Sequence, residues 1–111
     1  MQSDAPFPYQ GPQALRQALV DALTRVVDPE MALNIVDLGL VDGITVVDDR
    51  CLVRMTMTSA ACPVTDLIVE DVERELRRVT PEALQIEIEL LWDPPWTADR
   101  MSAHARRFMG W

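Results

Sequence analysis

The chain has 111 residues, 49% of them hydrophobic and 25% charged, the size and make-up of one globular domain rather than two. Folding at this length hides roughly two-thirds of the unfolded surface, so a core forms without metal or disulfide staples, and disorder, collagen and coiled coil are excluded. Eighteen acidic against ten basic residues leave a formal net charge of −8, which repels phosphate backbones; every basic residue is Arg, so Schiff-base lysine chemistry and the lysine phosphate loop are excluded with nucleic acid.

Residues 1–12 carry Pro6, Pro8, Gly11 and Pro12 with no apolar period and are predicted as a flexible tail ahead of a single domain, 13–111. Met1-Gln2-Ser3-Asp4 has neither a basic patch nor an apolar signal core, and the apolar stretches fall far short of the roughly 20 residues of a membrane span. A cytoplasmic protein with no membrane partner is expected. Over 13–26, Leu15, Ala18, Leu19, Ala22, Leu23 and Val26 recur at three and four, the stripe of an amphipathic helix. Asp28-Pro29 stops it, because a residue before proline is pushed out of helical geometry.

Residues 30–42 fit neither period and read as an ordered loop with a short strand. A hairpin follows over 43–47 and 52–57, turning at Asp48-Asp49-Arg50, with Val53, Met55 and Met57 on one side and Arg54 and Thr56 on the other. Pro63 suits a first helical turn, and Val64, Leu67, Ile68, Val72, Leu76 and Val79 then hold helical period for about 24 Å. Leu84, Ile86, Ile88 and Leu90 alternate with Gln85, Glu87 and Glu89 as a third strand with one buried face. Asp93-Pro94-Pro95-Trp96 forbids regular structure, and Thr97 is placed to cap a last helix over 98–108.

The order α-β-β-α-β-α predicts an α+β (two-layer α/β) domain with a three-stranded sheet and helices packed mainly on one face. The helix over 64–79 crosses from the second strand to the third, so those two are predicted parallel and joined right-handedly.

Cys51 and Cys62 are too few for a disulfide framework or a zinc finger. The strand between them separates them by more than about 15 Å, beyond the roughly 7 Å between Cα atoms that a bridge allows, and free thiols fit a reducing compartment. Cys62 sits at the mouth of the longest helix, where dipole and unpaired N–H groups favour a thiolate. Packing as a small apolar residue explains it equally well. Thr58, four residues earlier, is placed to hydrogen-bond that sulfur or a ligand, or simply to cap its loop. Asp28, Glu30, Asp37 and Asp93 fall in loops, where carboxylates are more often solvated than gathered. His104 is expected on an exposed helical face, weak support for a Cys–His hydrolase. Trp92 reads as core packing, and Trp96 as packing or an anchor for a partner.

Four segments taken together carry a resemblance: Asp28-Pro29-Glu30; Asn34-Ile35-Val36-Asp37-Leu38-Gly39-Leu40; Met55-Thr56-Met57-Thr58 with Cys62-Pro63; and Leu91-Trp92-Asp93-Pro94-Pro95-Trp96-Thr97. In order and spacing they resemble the SufT-like and PaaD-like iron–sulfur cluster assembly family, from about Leu15 to Met109. The resemblance implies a small α/β domain, often a homodimer, that helps mature iron–sulfur proteins without being an enzyme. Its signature thiol falls on Cys62, its acidic motif on Asp28 and Glu30, and its threonine on Thr58. Two departures lie in the loops: Ala32 stands where the family usually has proline, and Ala60-Ala61 where it has a Pro or Gly before the cysteine. PaaD-like members, accessory to a multicomponent oxygenase, typically carry a cysteine-bearing C-terminal extension that this sequence lacks, so the SufT-like branch is the nearer.

A typical cluster is held by about four thiolates, and one candidate ligand per chain cannot supply them. An iron–sulfur cluster would therefore be bound transiently and shared, as in a carrier or adaptor whose partners are iron–sulfur client or assembly proteins. Two other readings make different predictions: an interaction module docking through Trp96 with Cys62 structural, and a thiol enzyme with Cys62 as nucleophile and His104 as base.

Overall fold

Alternating β-branched and apolar residues build one sheet, and two amphipathic helices cover its inner face. The computed structural model describes residues 7–58 and 62–111, the side chains of Cys62 and Pro63 excepted. In chain order the elements are β1 (Tyr9–Gln10), α1 (Gln13–Thr24), β2 (Val27–Asp28), β3 (Leu33–Asn34), β4 (Val41–Val47), β5 (Arg50–Met55), α2 (Cys62–Val79), β6 (Gln85–Leu90), a 3-10 turn (Ala98–Arg100) and α3 (Ala103–Met109).

The sheet has four strands rather than the predicted three, in the order β1-β4-β5-β6. β4 and β5 form the predicted antiparallel hairpin, closed by Asp48 and Asp49, with Asp48 at φ +56. β5 and β6 run parallel, Val53 opposite Ile88, as the crossover through α2 predicts. The extra strand is β1, parallel to β4 with Tyr9 opposite Ile44, where the Ile44 N–H donates to the Pro8 carbonyl at 3.0 Å. The expectation of a flexible tail over 1–12 is therefore corrected from Phe7 onward. Phe7 is buried in the core, and the prolines that hide any apolar period leave two ladder residues between them. A separate ribbon pairs β2 with β3 antiparallel, Asp28 opposite Leu33.

Ile44 and Val46 of β4, Cys51, Val53 and Met55 of β5, and Ile86 of β6 are all buried and belong to one apolar cluster. Leu19, Ala22 and Leu23 of α1 and Ile68, Val72 and Leu76 of α2 lie in the same cluster, each large aliphatic side chain contributing about 1.5–3 kcal/mol by leaving water. The Arg25 Nε to Glu75 pair, at 2.9 Å, joins the end of α1 to α2. Thr56 departs from the predicted alternation. β5 ends at Met55, and the Thr56 N–H donates to the Leu40 carbonyl at 2.8 Å, which turns Thr56 inward and buries it.

The predicted last helix is broken. Ala98–Arg100 forms a 3-10 turn to which Thr97 gives no side-chain cap, Met101 is extended and buried, and α3 starts at Ala103. Ser102 is its cap, its Oγ accepting from the Ala105 N–H at 3.0 Å. The break seats Met101 in the core while the Ser102 N–H donates to the Asp37 carbonyl at 2.8 Å. Trp92 is also corrected: it is 49% exposed, and the indole that fills the corner is that of Trp96, donating to the Leu38 carbonyl at 2.7 Å.

Candidate functional site

Asp28 ends β2 and is 1% exposed. Its Oδ1 accepts from the Glu30 N–H at 2.8 Å and the Met31 N–H at 3.4 Å, while its backbone carbonyl accepts from the Ala32 N–H at 2.8 Å. That is the turn expected of Asp before Pro, with the side chain standing in for a backbone acceptor. Among the described residues Oδ2 has no hydrogen-bond partner. A buried polar atom left unpaired costs about 1–3 kcal/mol, so this oxygen needs an explanation that the turn does not supply. Glu30 is exposed, and its backbone N–H donates to Asp28 Oδ1.

β2 packs against α2, whose first residue is Cys62. The helix-mouth placement read from the sequence therefore holds for the backbone, and the expectations for the Cys62 thiol and for residues 59–61 lie outside the described residues. Thr58 is half-buried at the end of the segment that leaves β5. A run of backbone bonds connects the two sides. Ile35 N–H donates to Val26 O at 2.9 Å, Leu40 N–H to Ile35 O at 3.0 Å, and Thr56 N–H to Leu40 O at 2.8 Å. These bonds tie the Asp28 turn, the 34–40 loop and the Thr56 to Thr58 segment into one layer.

Sequence reasoning passed over Thr56, which is 3% exposed with its Oγ1 unpartnered among the described residues. It also missed Arg100, whose Nε donates to the Gly39 carbonyl and whose Nη2 bonds Asp42 Oδ1, both at 2.8 Å. No local pattern marks Arg100, because its partners lie about sixty residues away. Both Asp37 oxygens are engaged, Oδ2 accepting from Asn34 Nδ2 at 2.9 Å and Oδ1 from Ser102 Oγ at 3.0 Å. Asp93 is exposed, and among the described residues no three His, Cys, Asp or Glu side chains gather as a metal site.

Cys51 is sealed in the core, and burial pushes its thiol up to about 11. A protonated, inaccessible thiol does not react. Alkylation of the native protein at mildly alkaline pH, read by mass spectrometry after digestion, should leave Cys51 unmodified, and unfolding should expose it. Because burial favours the neutral thiol, its contribution to stability is complete below pH 9 and is lost as pH rises through about 11. His104 is exposed on α3, and among the described residues no carboxylate or carbonyl orients it as a catalytic base would need.

Residues 16–90 match the family model described as iron–sulfur cluster assembly protein, and the chain belongs to that family. It is 39% identical over 99 residues to the Fe-S protein maturation auxiliary factor YitW of Bacillus subtilis, covering 88% of this chain and 96% of that protein. With the Fe-S protein maturation auxiliary factor SufT of Staphylococcus aureus it shares 42% identity over 86 residues, covering 77% and 97%. Among solved structures it is similar to a domain of unknown function, DUF59, from Bacillus anthracis, with a TM-score of 0.80 and 39% identity over 88% of this chain and 93% of that one.

Proposed function

We propose that this protein is an assembly or transfer factor for iron–sulfur clusters, with Cys62 as a transient ligand at the mouth of α2, Thr58 orienting it, and Asp28 and Glu30 shaping the adjoining loop. The observation that carries this reading is Asp28. A fully buried carboxylate on the strand packed against α2 keeps one oxygen without a partner among the described residues, as a group waiting for a ligand does. The maturation factors it resembles are in keeping with that role.

The cluster is cargo rather than a resident centre. One thiolate per chain leaves most of the usual four ligands to come from a client, an assembly protein or a small thiol, which makes binding shared and release easy. The protein acts as a carrier in the reducing cytoplasm and turns over no substrate of its own.

Loading with iron and sulfide under anaerobic conditions, followed by mixing with an apo iron–sulfur enzyme, measures the handover as recovered enzyme activity. Cys62→Ser should slow it by more than about tenfold, the smallest loss typical when support for a metal ligand is removed. Transfer at the wild-type rate would take the thiol out of the mechanism.

A further inference from the structure

The two edges of the sheet are guarded differently. β1 is two residues long and lies between Pro8 and Pro12, a short, proline-flanked edge that a further strand cannot extend. β6, at the other edge, has six residues with neither proline nor glycine, about 20 Å of extended chain. The Gln85 N–H donates to the Asp49 carbonyl at 2.6 Å and the Leu91 N–H to the Met55 carbonyl at 2.8 Å, so the odd-numbered residues of this strand face β5. Ile86, Ile88 and Leu90 therefore direct their N–H and C=O groups away from the sheet, and among the described residues nothing bonds them.

The side chains define what this edge admits. On the inner face Ile86 is buried, while Ile88 and Leu90 pack against the core yet stay partly exposed, an apolar row left incompletely covered. On the outer face stand Glu87, bonded to Arg50, and Glu89, which is exposed and, among the described residues, in no ion pair. Arg54, the register neighbour of Glu89 on β5, donates instead to Thr45 Oγ1 at 3.2 Å. A second copy is a poor partner here: antiparallel β6 strands that use all three outward residues set Glu87 against Glu89, and like charges directly opposed destabilise a ladder. The same positions favour cations. In an antiparallel addition Ile86, Ile88 and Leu90 take the hydrogen-bonded sites, and Glu87 and Glu89 take the closer sites between them, where an opposite Arg pairs with each carboxylate. We infer that β6 is a docking edge for an extended segment of another protein in which cationic and aliphatic residues alternate, the cations opposite Glu87 and Glu89 and the aliphatic residues continuing the row of Ile88 and Leu90.

Main-chain bonds supply the affinity of such an addition, and the alternate side chains supply its selection. The net charge of −8 also draws a cationic segment toward this chain. β6 ends where the Leu91 N–H meets the Met55 carbonyl, at the start of the segment that leads to Thr58. A docked segment thus ends beside the cluster site proposed above, although the pairing does not depend on that reading.

A fluorescently labelled peptide, Thr-Val-Arg-Ile-Arg-Val-Thr with both ends blocked, tests the edge by anisotropy on the full chain with no cluster present. Wild type should bind it saturably, more weakly at high salt, and at least about tenfold more tightly than the same peptide with Glu in place of both Arg. Glu89→Arg changes an exposed side chain and should erase that preference; circular dichroism confirms that the variant is folded. N-methylation of the peptide's Val and Ile residues blocks the N–H groups that face β6 and should abolish binding, whereas N-methylation of the two Arg leaves those groups free and should not. Amide hydrogen exchange, read by NMR, should slow on binding at Ile86, Ile88 and Leu90 and change little at Glu87 and Glu89, whose N–H groups already bond β5. No saturable binding, equal affinity for the Arg and Glu peptides, indifference to which residues are N-methylated, or protection that misses Ile86, Ile88 and Leu90 would overturn the proposal.

Discussion

Gly39→Ala should destabilise the protein by about 3 kcal/mol or more, a large part of the roughly 5–15 kcal/mol that holds a domain of this kind together. Two effects add at this position. Gly39 has φ +75, where a Cβ is disfavoured by about 1–2 kcal/mol. That Cβ would also lie 2.2 Å from the Arg100 carbonyl oxygen and 2.7 Å from its carbon, which are backbone atoms with no rotamer to yield. Neither chain can retreat, because Arg100 Nε donates to the Gly39 carbonyl, Trp96 Nε1 to the Leu38 carbonyl and the Ser102 N–H to the Asp37 carbonyl. Gly110→Ala is the control, with φ +78 and nothing within 4 Å of the added Cβ. It should cost only about 1–2 kcal/mol, so the difference between the two urea midpoints isolates the close approach. Equal losses would mean that the 96–102 segment moves freely away from the loop.

The parts of this fold that depend on period were legible from the residues. α1, α2 and the three main strands fall close to where spacing puts them, and the β5 to β6 pairing follows from the crossover through α2. What escaped depends on partners far along the chain. β1 exists because β4 offers a ladder to residues between prolines, and nothing in residues 7–12 announces that partner. The last helix breaks at Met101 because the core accepts its side chain, a tertiary demand that a capping pattern at Thr97 cannot show. Ala32 is instructive in another way. Its φ of +59 lies outside what proline's ring permits, so the alanine there, noticed as a departure from the family pattern, goes with a turn that proline could not make. At the site, the Asp28 motif was visible as letters. Its burial, and an oxygen left unpaired among the described residues, are properties of tertiary packing and were not visible.

Asp28→Asn separates what that residue does for the turn from what it does for a ligand. Asparagine keeps an Oδ1 able to accept from the Glu30 and Met31 N–H groups, so the turn and the thermal midpoint should hold to within about 1 kcal/mol. At the Oδ2 position an acceptor becomes an NH₂ donor, unable to bind a metal-bound or protonated partner. Cluster handover to an apo enzyme should therefore fall about 10- to 100-fold, the usual consequence of losing a group that supports a metal ligand. Asp28→Ala removes both functions: it should slow handover similarly and also lose about 1–3 kcal/mol of stability as the two N–H groups go without their acceptor. If the asparagine variant hands over clusters at the wild-type rate while the alanine variant is merely less stable, Asp28 serves the turn alone and its unpaired oxygen is a tolerated defect.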